Sequence, residues 1–156
     1  MNLQIKLKFL IIIALLLNLA ACSQPGLKKE EKAEPKQDLF ELQKQADAAY
    51  LKDDMISSER DYKILIGELP EMALHWYRLA NIYVRTNRPD AAIDLYREAV
   101  LRDPTFANAW FNMSIVQLKQ TAFSLQEMLL YTEKSDPVHT KANKLLDSIL
   151  AIINQD

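Results

Sequence analysis

At 156 residues with a formal net charge of −2, the chain has room for one small core and none of the basic surplus that draws a protein to nucleic acid. Its single cysteine, Cys22, excludes an intramolecular disulfide. With only two glycines and no alternating Val/Ile/Thr run bounded by turns, a sheet is disfavoured, and the fold has to rest on helix packing.

In chain order, Lys6 and Lys8 precede an apolar run from Phe9 to Leu17, followed by Leu19-Ala20-Ala21-Cys22. The run falls short of the about 20 apolar residues that a membrane span needs. A basic start, an apolar centre and small residues before a cut have the shape of a secretory signal peptide, so residues 1–21 are read as a leader. The alternatives are an ordinary signal peptide with an incidental cysteine and an uncleaved anchor. The Leu-Ala-Ala-Cys stretch resembles the bacterial lipobox. That resemblance implies diacylglycerol on Cys22, cleavage before it, and acylation of the new amine. Buried methylenes contribute about 0.8 kcal/mol each, and two or more chains anchor stably. In such lipoproteins Ser23, rather than Asp, implies passage to the outer membrane, with the domain facing the periplasm.

Residues 22–37 hold the cysteine and a stretch dominated by Pro, Lys, Glu and Gln, which cannot repay its ordering entropy by burial. A flexible tether is expected, spanning on the order of 20 Å as a coil and about 50 Å when stretched.

From residue 38 to 156 the pattern is helical. The clearest unit is 73–106: Trp76, Leu79, Ala80 and Tyr83 share one helix face, and Ala92, Tyr96 and Ala99 share the next. Asn87-Arg88-Pro89-Asp90 supplies the turn, and Pro104 closes the unit. Thirty-four residues earlier, Leu42, Ala46, Ala49, Ser58, Tyr62, Leu65 and Pro70 repeat the pattern more faintly around a turn at Lys52-Asp53-Asp54. Thirty-four residues later, Trp110, Met113 and Ser114 are in register, but Gln117 and Glu133 break it, so the third unit's second helix is expected to be shortened or out of register. Asp136-Pro137 then reads as a helix start. It is followed by an apolar stripe of Val138, Ala142, Leu145, Leu146, Ile149, Leu150 and Ile153, expected to cap the stack. Alternatively, Leu146, Ile149 and Ile153 form a homodimer interface.

The order Trp, Leu, Ala, Tyr, Ala, Tyr, Ala, Pro over thirty-four residues closely resembles the tetratricopeptide repeat. The resemblance implies an all-α class: a short α-solenoid of about three helical hairpins plus a C-terminal capping helix. Trp76, Tyr83, Tyr96 and Trp110 are assigned to the core.

Catalytic patterns are absent from the sequence. His75 and His139 stand in no metal-ligand spacing, and there is no nucleophile elbow or phosphate-binding glycine loop. The histidines are read as ordinary surface or partly buried residues, and neither an enzyme nor a cofactor is expected.

Function is therefore sought on the open face. In the resembled family the first helix of each repeat lines the concave side, which implies a partner-binding groove of Tyr77, Arg78, Asn81 and Arg85 with Phe111, Asn112, Ile115 and Lys119. The same face is expected to include Leu74 in the central repeat, and Gln43, Lys44 and Asp47 in the analogous place of the first repeat. Asparagine amides suit the backbone of an extended peptide, arginines its carboxylates, and Tyr77 and Phe111 its apolar anchors. The asparagine offsets resemble the peptide-carboxylate clamp of chaperone-binding tetratricopeptide domains, with a departure at Tyr77, where the clamp uses lysine. The functional expectation is a lipid-tethered interaction module that docks or helps assemble an envelope protein, in the manner of a pilotin or scaffold. The alternative is a regulatory adaptor of a peptidoglycan-modifying enzyme.

Overall fold

The computed structural model describes residues 38–154. The leader, Cys22 and the tether at 22–37 lie outside the described residues. Six helices follow one another: α1 (Leu39–Leu51), α2 (Met55–Glu68), α3 (Ala73–Arg85), α4 (Pro89–Arg102), α5 (Ala107–Tyr131) and α6 (Pro137–Ile153). Each packs on its sequence neighbour, giving the all-α helical-repeat solenoid that the pattern predicts. No helix among the described residues is long and apolar enough to cross a membrane.

Local chemistry starts the helices. Asp38 caps α1 by accepting from Phe40 N at 3.0 Å, Asp54 caps α2 by accepting from Ser57 N at 3.1 Å, and Asp136 caps α6 by accepting from Val138 N at 2.8 Å. Pro137 takes the first helical position of α6, as expected.

The thirty-four-residue period recurs in the hydrogen bonds as well as in the side chains. Asp53 (φ 64°) and Asn87 (φ 57°) occupy the left-handed region at equivalent turns, where Asp and Asn are better tolerated than most residues. After them, Asp54 N donates to Ala49 O at 2.9 Å and Arg88 N to Tyr83 O at 2.8 Å. Tyr62 donates to Asp47 Oδ1 at 2.6 Å, and Tyr96 to Asn81 Oδ1 at 2.5 Å. Trp76 Nε1 donates to Pro70 O at 2.8 Å, and Trp110 Nε1 to Pro104 O at 3.0 Å.

Two core clusters fill the stack. Leu42, Ala46, Tyr62, Leu65, Leu79 and Ile82 join α1, α2 and α3. Ala80, Ala92, Tyr96, Ala99, Val100, Ala109, Met113 and Val116 belong to the cluster that joins α3, α4 and α5. Half-buried Tyr83 and Leu95 touch both. Ala46, Ala80, Ala92, Ala99 and Ala109 are wholly buried, and their small size lets the helix axes approach.

The expected aromatic core needs correction. Tyr96 is buried, but Trp76 and Tyr83 are only partly so, and Trp110 is 47% exposed. Trp76 keeps its indole N–H on the Pro70 carbonyl and lies under the Arg102 guanidinium, 4.1 Å from the ring centroid. Trp110 occupies the equivalent position in a unit that has no second helix of its own to cover it, because α5 does not turn.

The third unit does not turn. α5 runs 25 residues through the position of Thr121, which is equivalent to Asp53 and Asn87. A β-branched residue strongly resists the left-handed region, and residues 118–130 contain neither glycine nor proline, so the helix continues. Ser114 and Leu130, which stand where the repeat buries a small residue and a tyrosine, are exposed as a result. α6 folds back instead, setting Ala142, Leu146 and Ile149, with Leu150 and Ile153 at the edge, against Leu118, Ala122, Leu125 and Leu129. Leu146 and Ile149 are thereby buried within the chain, with Ile153 packed at their edge, which supports the capping role.

Because Asn87 is exposed and left-handed, Asn87→Val should lower the unfolding free energy by about 1–2 kcal/mol through backbone strain alone, whereas Asn87→Gly should stay within about 0.5 kcal/mol of the parent. Denaturant titration of the two variants measures the difference.

Candidate functional site: the concave groove

α3 and α5 stand one repeat apart, so residues at three- and four-residue spacing on each face the same side of the stack. Tyr77, Arg78, Asn81 and Arg85 from α3, and Phe111, Asn112, Ile115 and Lys119 from α5, line one open hollow of about 450 Å³. Tyr50, Val84, Tyr96 and Val116 complete it. The sequence reading passed over these four. Tyr50 and Val84 are equivalent residues one repeat apart, and Tyr96 had been placed wholly in the core although its hydroxyl reaches the floor.

The floor is a polar network. Asn81 Oδ1 accepts from the Tyr96 hydroxyl at 2.5 Å and from Asn112 Nδ2 at 3.1 Å, and Asn112 Nδ2 also lies 3.3 Å from the Tyr77 hydroxyl. Burial pushes the Tyr96 phenol well above its ordinary pKa, so it remains a donor throughout the physiological range. Among the described residues, Asn81 Nδ2 and Asn112 Oδ1 have no partner. The two lining asparagines therefore keep one amide donor and one acceptor without a protein partner among the described residues, the pair that a peptide backbone requires.

The walls carry charge and apolar surface. Arg85 donates to Asp53 Oδ1 at 2.6 Å and covers the Tyr50 ring at 4.7 Å, and Arg78 Nε lies 3.6 Å from Asp47 Oδ1. Both arginines are thus engaged by carboxylates of α1 and its turn. Lys119 forms no ion pair among the described residues. Phe111 is 55% exposed at the rim, whereas Tyr77 packs on Phe106 and Tyr96 with ring centroids 4.8 and 5.9 Å away. Tyr77 therefore shapes the floor more than it offers an anchor. Leu74 lies elsewhere, beside Met72, Arg102 and Phe106. Gln43, Lys44 and Asp47 line a separate small hollow with Phe40 on α1.

His75 differs from the sequence expectation and His139 meets it. His75 is fully buried, with Nε2 3.2 Å from Gln43 Oε1 and Nδ1 without a partner, and burial lowers its pKa. It sits at the α3 position that enters the first core. His139 is partly buried, with Nδ1 2.9 Å from Thr132 Oγ1. No group of three metal-ligating side chains gathers among the described residues.

Residues 75–116 match the tetratricopeptide repeat family model. They run from α3 to the middle of α5, the two helices that wall the groove. The fold is that of a tetratricopeptide-repeat stack. A similar solved structure is the TPR2B domain of yeast Sti1 in complex with pHsp70, at 17% identity and a TM-score of 0.52, over 75% of this chain and 83% of that one. At that identity the likeness is one of fold. No curated protein matches the chain.

An ion cluster joins the first two helical hairpins away from the groove. Glu59 accepts from Arg88 Nη1 and Nη2 at 3.1 and 2.5 Å and pairs with Lys63 at 2.7 Å, while the Arg88 guanidinium lies 3.7 Å from the centroid of the Tyr83 ring. The Arg88 bonds lower the Glu59 pKa to about 2 from an ordinary 4.5. Its stabilising contribution is complete above pH 4.5 and lost toward pH 2, so the gap in melting temperature between the parent and Glu59→Gln should close over that window. For His75 the depressed pKa belongs to a base: the unfolded chain takes up the proton first, and stability falls as pH drops below the ordinary 6.5. His75→Leu should remove that limb of the pH–stability curve, as thermal melts between pH 7.5 and 5 would register.

Proposed function

We propose that this chain is a membrane-tethered docking module. Lipid on Cys22 holds it at the outer membrane, the helical domain faces the periplasm, and the concave groove takes a segment of another envelope protein to help assemble or deliver it. The observation that carries the reading is the convergence of eight residues from α3 and α5 on one hollow that keeps an unpartnered donor, an unpartnered acceptor and a free cation. These groups have no protein partner among the described residues, so a bound segment can take their hydrogen bonds in exchange for water. Rigid repeat stacks use such concave faces for binding, and the similar domain of yeast Sti1 was solved in complex with pHsp70. The leader and the Leu-Ala-Ala-Cys stretch support the anchored location.

A photocrosslinker in place of exposed Phe111, with a matching probe at Lys144 on α6, tests the reading in cells. One dominant envelope protein captured at 111, absent at 144 and lost with Lys119→Glu, is the expected outcome, and its identity separates an assembly client from a peptidoglycan enzyme. Equal, diffuse capture at both positions would refute the groove. In the same cells Cys22→Ser should preserve capture and abolish delivery of the client to the outer membrane.

A further inference from the structure

The missing third turn gives the groove a second compartment. Because α5 continues past Thr121, its residues Lys119, Gln120, Phe123 and Ser124 overhang the tip of the α3–α4 hairpin at Val84, Asn87 and Pro89, enclosing a further hollow of about 620 Å³. Gln120 Nε2 donates to Asp90 Oδ1 at 2.6 Å and ties the overhang to the start of α4. Val84, Val116 and Lys119 line both hollows, so the two adjoin as a trough. Its ends differ in chemistry. The asparagine pair forms a polar end, while Val84, Pro89, Val116 and a Phe123 that is 63% exposed make the other end apolar, with the unpaired ammonium of Lys119 between them.

Resting on the docking reading above, we infer that the trough selects an extended peptide segment of a partner protein carrying a carboxylate and, two residues away, a bulky apolar side chain. The spacing follows from the helix. Lys119 and Phe123 are four residues apart, about 6 Å along α5, and an extended peptide covers that distance in about two residues. Side chains two apart also point to the same face of an extended chain, so both reach the trough together. From Lys119 back to Asn112 is about 10 Å, which seats about three further residues with their backbone on the free amide groups of Asn81 and Asn112. The carboxylate pairs with the one groove cation that no carboxylate among the described residues engages, and the apolar side chain covers Phe123. The footprint is about six residues.

The test selects random dodecapeptides displayed on phage against the full chain in lipid nanodiscs, then measures a winning synthetic peptide by fluorescence anisotropy. Enriched sequences sharing an acidic and a bulky apolar residue two positions apart are expected. Phe123→Ala should weaken the peptide about tenfold or more and abolish enrichment of the apolar residue. Lys119→Gln should do the same for the acidic one, and Asn112→Ala should weaken binding without altering either preference. Phe123 and Lys119 are exposed, so both variants should retain the parent's thermal melt. Peptides sensitive to Asn112→Ala but indifferent to Phe123→Ala and Lys119→Gln would overturn the two-compartment trough and leave the docking groove standing. An absence of enrichment, or binding indifferent to all three substitutions, would overturn both.

Discussion

A left-handed residue at the tip of each hairpin is the constraint on which the architecture depends. At Asp53 and Asn87 the backbone reverses within a few residues because those side chains tolerate positive φ, and the chain returns antiparallel with its small residues facing one another. At the equivalent third position stands Thr121, and α5 goes straight on. With no left-handed residue at that point and no glycine or proline from 118 to 130, the third unit becomes a long helix, and that helix supplies both the landing surface for α6 and the overhanging wall of the groove. Irregularity and candidate function share a cause.

The tyrosines of the second helices couple core to surface. Tyr62 and Tyr96 are buried, yet each sends its hydroxyl through the stack to an Asp or Asn on the preceding first helix. In the first repeat the acceptor is Asp47, which also lies near Arg78, so charge is neutralised there. In the second it is Asn81, whose oxygen is taken twice while its amide nitrogen stays free. The groove is consequently pre-organised by bonds made on folding, and a ligand need not order those side chains at its own expense. The Arg88–Glu59 pair holds the hairpins together from elsewhere, so the groove need not carry that role.

Much of this was readable before any coordinates. The period of thirty-four residues, the turn residues and the helical spacing pointed to the two complete hairpins, and the resemblance to the repeat family pointed to eight side chains that line the hollow. What sequence reasoning missed concerns neighbours. Trp110 has the pattern of a core residue, but covering it requires the second helix of its own unit, and the periodic pattern does not show that α5 runs on past Thr121 instead of turning. His75 looked like a surface residue because it is polar, whereas its helical angle turns it into the first core against Tyr62 and Gln43. Leu74 was assigned to the groove by spacing alone, yet it lies with Met72 and Phe106 at another edge. Pairing of Arg78 and Arg85 with α1 carboxylates is a matter of tertiary distance that the periodic pattern leaves open.

The central claim, that the chain makes two turns and then a single uninterrupted α5, is open to a direct distance measurement. Spin labels attached by non-thiol chemistry at exposed Asn108 and Gln126, which leave Cys22 untouched, lie on one face of that helix five turns apart. Pulsed electron resonance on the full chain should give one narrow distribution near the helical separation of about 27 Å. A distribution centred at about 15 Å or below, as a hairpin turning near Thr121 would produce, would contradict the continuous helix, the docking of α6 on it, and the overhanging compartment together.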